Sequence, residues 1–222
     1  MNPFRLLFSV LIVVVGSVVA LFEPKDWPDS FSVSFVSNIT LQEVVGTPVG
    51  RYMYYDWTNG NVQRVDHEAG AVECVEFYGT TGPCKLFFTP KGLYRTLQAP
   101  MPEGLPECCL DLADIHASPP DWASTGNPTF AGVVKDPYTG QETLKWKYDN
   151  LPVTGRRLGD KEPHLYYETV AKLEVGRLPL IFTFPGKDGI QDYHFDTSSL
   201  KIEPQDPSLF ELPLNCDRPC AT

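Results

Sequence analysis

Apolar and polar residues alternate along much of this chain. Phe31, Val33 and Phe35 are interleaved with Ser32 and Ser34, and Leu144, Trp146 and Tyr148 with Thr143, Lys145 and Lys147. A period of two marks strands with one dry and one wet face. Segments 52–58 and 61–66 flank Asn59-Gly60, a pair suited to a two-residue type I′ turn, which sets Trp57 against Val62 and Tyr55 against Arg64. A second hairpin joins 84–89 to 93–98 through Pro90-Lys91-Gly92, with proline presetting φ and glycine taking the left-handed position. Further strands are read at 72–78, 108–112, 130–134, 142–148, 166–174, 178–184 and 191–196, with turns at 136–140 and 186–189. The proline-bearing stretch 99–106, the charged stretch 155–161 and the stretch 118–128 read as loops, the last anchored by Trp122. A helical turn follows Pro207. About ten strands with short antiparallel connections predict an all-β sandwich or a strongly curved sheet.

The first 20 residues break this pattern. Arg5 precedes an apolar run from Leu6 to Val15, and small residues follow up to Ala20, the order of a signal peptide. Acidic and proline-bearing sequence begins at Glu23 and Pro24, too early for a membrane span. The expectation is a signal peptide at 1–20, a single soluble domain at 21–222 and a secreted, extracellular product with no membrane span. The formal charge of -10 argues against nucleic acid as a partner.

Export changes how the cysteines are read. Cys74, Cys84, Cys108, Cys109, Cys216 and Cys220 are even in number, and an oxidising compartment favours three disulfides. Zinc fits less well, because only Cys216 and Cys220 approach its ligand spacing and no histidine stands beside them. Asn38-Ile39-Thr40 is a glycosylation sequon, whereas Asn127-Pro128-Thr129 is blocked by its proline.

No catalytic motif is present: no G-x-S-x-G elbow, no H-E-x-x-H helix, no P-loop and no Rossmann glycine run. The expectation is a protein that is not an enzyme. Two small sets, Asp111 with Asp114 and His116, and Asp192 with His194 and Asp196, could ligate a metal. The plainer reading of the second set is the wet face of a strand whose dry face carries Tyr193 and Phe195. Tyr52, Tyr54, Phe87, Tyr94, Trp146, Tyr148, Phe182 and Phe184 supply aromatic side chains that serve either as core or as the lining of a ligand pocket.

Several motifs in order resemble the ependymin-related proteins. They are Tyr54-Tyr55-Asp56 with Gln63-Arg64-Val65-Asp66, Lys91-Gly92-Leu93-Tyr94, Cys109 followed by Pro119-Pro120-Asp121-Trp122, Tyr167-Glu168-Thr169, and Asp206-Pro207-Ser208-Leu209-Phe210 before Cys216. The resemblance covers roughly 52–220. It implies two curved antiparallel sheets enclosing an apolar cavity, a fold similar to the bacterial lipoprotein carriers. It also implies a homodimer, calcium as the only cofactor, and matrix or adhesion roles. Two cysteines usual in that family are missing here, while Cys84 and one of the Cys108–Cys109 pair are additional. From that comparison the pairing Cys74–Cys220, Cys84–Cys108 and Cys109–Cys216 is expected, or the same scheme with Cys108 and Cys109 exchanged. The function expected is a secreted, non-enzymatic carrier of a hydrophobic small molecule or lipid; the alternative is a matrix or cell-adhesion protein that binds calcium.

Overall fold

The computed structural model describes residues 23–40, 50–71, 74–75, 81–98, 106–149, 164–169, 178–186 and 189–220. The signal-peptide segment 1–20, residues 99–105 of the loop expected at 99–106, the loop expected at 155–161 and the turn residues Lys187 and Asp188 lie outside them. Among the described residues eleven strands run in chain order: β1 (Ser30–Thr40), β2 (Tyr52–Asp56), β3 (Val62–His67), β4 (Cys84–Thr89), β5 (Gly92–Leu97), β6 (Cys108–Leu112), β7 (Thr129–Lys135), β8 (Glu142–Tyr148), β9 (His164–Thr169), β10 (Pro179–Gly186) and β11 (Gly189–Phe195). One helical turn, α1 (Trp122–Thr125), precedes β7, and a 3-10 turn spans Pro207–Phe210.

All eleven strands form one antiparallel sheet, in the order β6-β5-β4-β3-β2-β1-β11-β10-β9-β8-β7. The two sheets expected from the resemblance are the halves of this one. β1 joins them: Ser30–Ser34 pairs with β2, and Phe35–Thr40 pairs with β11. The sheet ends in two edges, β6 and β7, so it is open and not a closed barrel.

The sheet is strongly curled. The rings of His67 on β3 and Tyr193 on β11 lie 6.1 Å apart with β2 and β1 between them. In a flat sheet three strand spacings would separate them by about 14 Å. Curling brings the concave faces of both halves into one core that runs from Leu86 and Leu93 on β4 and β5 to Leu144 and Trp146 on β8.

Sequence alternation places the inner face correctly. Phe31, Val33, Phe35, Tyr193, Phe195, Leu144, Trp146 and Tyr148 are all buried. Thr143, expected on the wet side, is also buried, and its hydroxyl donates to the Val134 carbonyl. Its burial accompanies a fold-back of the β7–β8 turn, whose Asp136 reaches His194 on β11.

The Asn59-Gly60 hairpin differs from expectation by one residue. Tyr55 faces Gln63 and Tyr54 faces Arg64, so the connection runs from Trp57 to Asn61. The Asp56 carboxylate explains the longer loop, because it accepts the Asn59 amide at 3.0 Å and the Asn59 side-chain amide at 3.0 Å. This side-chain bridge closes a five-residue loop in place of the type I′ turn. The second hairpin is one residue tighter than expected: Thr89 pairs with Gly92, which leaves a two-residue Pro90-Lys91 loop, while Gly92 takes the expected positive φ, at 131°. The strand expected at 72–78 is not formed at its described residues, since Cys74 and Val75 donate their amides to the Ala71 carbonyl as in a helical turn.

All six cysteines are paired, but in another scheme: Cys74–Cys84, Cys108–Cys216 and Cys109–Cys220. Strand geometry gives the reason. Neighbouring residues of β6 point to opposite faces, so Cys108 joins the outer cluster of Phe87, Tyr94 and Cys216 while Cys109 points to the other side. Cys84 packs with Ala71, Cys74 and Leu97 on the inner face, two strands from Cys108 and facing away from it. Cys84–Cys108 is thereby excluded, and Cys74 is the near partner.

The C-terminal segment crosses the outer face as a strap. Lys201 exchanges backbone hydrogen bonds with Ser32 on β1, the Leu209 carbonyl accepts from Arg64 on β3, and Leu212 packs beside Phe87 and Tyr94. The strap then turns around the sheet edge. The Leu110 amide donates to the Arg218 carbonyl and the Cys220 amide to the Leu110 carbonyl. Cys216 is bonded on one face of β6 and Cys220 on the other, and the β6 edge is covered between them.

Candidate functional site

The seven aromatic candidates whose side chains are described do not meet in one place. Tyr52, Tyr54, Phe87 and Tyr94 occupy the outer face, because the residues beside them in sequence, Met53, Tyr55, Leu86 and Leu93, are the ones in the inner core. Tyr52 is exposed, the Arg64 guanidinium lies over Tyr54 and Phe87, and the strap covers Tyr94. Trp146 and Tyr148 belong to the inner core, and Phe182 packs against it. The Phe184 side chain lies outside the described residues, as does that of Asn38, whose backbone pairs with Asp192.

The centre of the inner face is filled from outside the sheet. Trp27, on the segment before β1, makes edge-on contacts with Phe31, Tyr55 and Trp122 at 5.4–5.8 Å between centroids. Its amide donates to the Pro120 carbonyl at 2.9 Å and its indole Nε1 to the Tyr166 hydroxyl at 3.2 Å. Trp122, on α1, meets Tyr148, Tyr166 and Phe182 at 5.2–5.7 Å.

α1 is too short to hold its place by itself. The sheet positions it through two tyrosines: Tyr55 donates its hydroxyl to the Ser118 carbonyl at 2.8 Å, and Tyr148 donates to the Ala123 carbonyl at 2.9 Å. Burial pushes both phenols well above their ordinary pKa, and carboxylates add to it, Asp29 and Asp121 for Tyr55 and Glu168 for Tyr148. Both therefore stay protonated donors.

Glu168 on β9 is fully buried among these rings. Its Oε1 accepts the Lys25 amide at 2.5 Å, and its Oε2 accepts the Trp146 indole at 3.1 Å. Beside this pair a cleft of about 260 Å³ runs along the N-terminal segment, bounded by Lys25, Trp27, Asp29, Tyr166, Pro179 and Ile202. Farther along the inner face Phe35, His67 and Tyr193 form a second ring cluster, and His164 stacks on Phe182. The arrangement offers apolar burial with a few fixed polar groups, the usual composition of a small-molecule site.

The two acidic and histidine sets are dispersed. Asp111 pairs with Arg95, and His116 Nδ1 lies 3.0 Å from the Thr89 carbonyl. Asp196 binds the Ser198 amide and hydroxyl, while His194 turns to Asp136 at 3.2 Å. Among the described residues no three His, Cys, Asp or Glu side chains converge as a metal site. Among them, too, no helix is long and apolar enough to cross a membrane.

Trp27, Tyr166 and Glu168 are the central residues that pattern reading did not select. A lone tryptophan between Asp26 and Pro28 has no periodicity, and Glu168 is a charge that breaks the apolar alternation of its strand instead of marking an inner face. Its place within Tyr167-Glu168-Thr169 was the only signal it carried.

The fold and site define a class: an open, disulfide-stapled β-sheet curled around an aromatic interior. No protein-family model matches the chain. No curated protein matches it either. Among solved structures it is similar to an uncharacterised conserved protein from Thermus thermophilus, at 15% identity over 86% of this chain and 90% of that one, with a TM-score of 0.47.

Proposed function

We propose that this chain is a secreted, non-catalytic carrier that holds an apolar, lipid-like molecule on the concave face of its sheet. One observation carries this reading. The strands curl around a space that their own side chains leave for two tryptophans from outside the sheet, Trp27 and Trp122. A concave face filled by inserted rings is suited to exchanging one apolar occupant for another, and each buried methylene of a ligand contributes about 0.8 kcal/mol. The resemblance to the ependymin-related proteins points the same way and stands on the sequence motifs alone.

Native mass spectrometry of the protein purified from an exporting host tests the proposal. The expected spectrum contains adducts of lipid mass, and delipidated protein takes up 1-hexadecanol. A protein that carries no adduct and takes up no hexadecanol is not a carrier.

A further inference from the structure

We propose that the indole N–H of Trp122 is the polar anchor of the concave site, and that the ligand brings it an acceptor oxygen, as a carbonyl, ester or ether group on an otherwise apolar chain. The inference rests on the carrier reading and adds the chemistry of the ligand's polar group.

Among the described residues three buried indoles meet in the inner core, and two of them have partners. Trp27 Nε1 donates to the Tyr166 hydroxyl at 3.2 Å, and Trp146 Nε1 to Glu168 Oε2 at 3.1 Å. Trp122 is the exception: the residue is only 3% exposed, and no acceptor lies within hydrogen-bond reach of its Nε1. A buried donor without a partner carries its full desolvation penalty, and folded interiors keep few of them. Rotation toward water does not relieve it, because Tyr148, Tyr166 and Phe182 surround the ring at 5.2–5.7 Å. Their aromatic faces recover only a fraction of what an oxygen supplies.

The surroundings of the indole define what completes it. Tyr166 is both one of these rings and a wall of the cleft of about 260 Å³, so cleft and indole border the same side chain. A chain that enters there meets Trp122 once that ring gives way. A hydrocarbon leaves the N–H unpartnered, and a group that can only donate does the same. A carbonyl, ester or ether oxygen accepts the N–H, while the rest of the chain packs against the surrounding rings.

The experiment titrates the mature chain and its Trp122→Phe variant with methyl hexadecanoate and with nonadecane, which matches the ester in length but offers no acceptor. Phenylalanine keeps an aromatic ring and deletes the donor. The substitution is expected to weaken the ester about tenfold, roughly 1.4 kcal/mol, and to leave nonadecane within about twofold. An ester affinity that is unchanged, or that falls no more than that of nonadecane, overturns the anchor and leaves the carrier reading standing. Proton NMR of the unaltered chain gives a measurement that does not depend on how the variant folds. The Trp122 indole proton is expected to move downfield with methyl hexadecanoate, and farther than with nonadecane; equal shifts overturn the anchor. Uptake of 1-hexadecanol without binding of methyl hexadecanoate overturns it too, whereas failure of all three probes to bind removes the carrier reading and this inference together.

Discussion

At position 168 a carboxylate lies fully buried, and its two oxygens are met by donors from distant parts of the chain, the Lys25 amide and the Trp146 indole. Trp146→Phe keeps most of the ring and deletes one donor. It should lower stability by about 1.5–3 kcal/mol, the range for losing a hydrogen bond to a charged group; urea unfolding checks this, and a loss under about 0.5 kcal/mol would mean the bond contributes little. Asp136 is read through pH instead. Burial alone would raise its carboxyl, but the Thr139 hydroxyl, the Tyr138 amide and His194 hold it below the ordinary value. A depressed carboxyl stabilises the fold fully above its unfolded pKa, and that stabilisation fades as pH falls through the lower folded value. Asp192 has the opposite sign. Burial, only partly countered by hydrogen bonds from Thr183 and Tyr138, raises it, so its contribution grows as pH falls. Asp136→Asn should therefore lose about 1.5–3 kcal/mol at pH 7 and show a flatter stability loss below about pH 4. Thermal melts between pH 7 and 2 measure both effects.

Among the elements, the β4–β5 turn and the strap give the sharpest expectations. A Cβ at Gly92 would stand 2.6 Å from the Leu112 carbonyl oxygen, at a φ of 131° that side chains avoid. Gly92→Ala should cost about 1–3 kcal/mol and disturb the β5–β6 pairing, visible as faster amide exchange in β6. The two strap disulfides should be strongly non-additive. Each alone closes a loop of more than a hundred residues, at sequence separations of 108 and 111. With one in place the other closes a ring of roughly seven residues, so the loop-entropy model gives about 2.4 kcal/mol for removing either and about 7 kcal/mol for removing both. Ala replacements of each pair and of both, followed in guanidinium, test this, and simple additivity would contradict the geometry. The same elements show what was legible in the sequence. Strands and the inner face could be read because Phe31, Val33 and Phe35, or Leu144, Trp146 and Tyr148, repeat every second residue. The register after Asp56 could not, because a carboxylate capturing the Asn59 amide leaves no periodic trace. The disulfides were misassigned because which face Cys108 and Cys109 present follows from the strand, while which cysteines lie near each face follows from the path of the strap.

On the scale of the whole molecule, the two edges of the sheet are treated differently. β6 is covered by Arg218–Cys220, whereas β7 keeps Val133 exposed at the far end. Removing both strap disulfides should uncover a second edge, and light scattering is expected to show more self-association than the intact chain shows. The site was the least legible part at this scale. Its centre is assembled from the segment before β1, from α1 and from β8 and β9, which come together only once the sheet has curled, so no local pattern marked it. The neighbouring cysteines of β6 also set an order of events during synthesis. Cys74 and Cys84 are ten residues apart and can join early, but Cys216 leaves the ribosome 108 residues after Cys108. At about 5–20 residues per second that is a wait of roughly 5–20 s, during which two adjacent thiols stand side by side with no native partner. Their correct pairing depends on β6 already being a strand when the strap arrives, so the sheet must form first and the oxidation that locks it must come last.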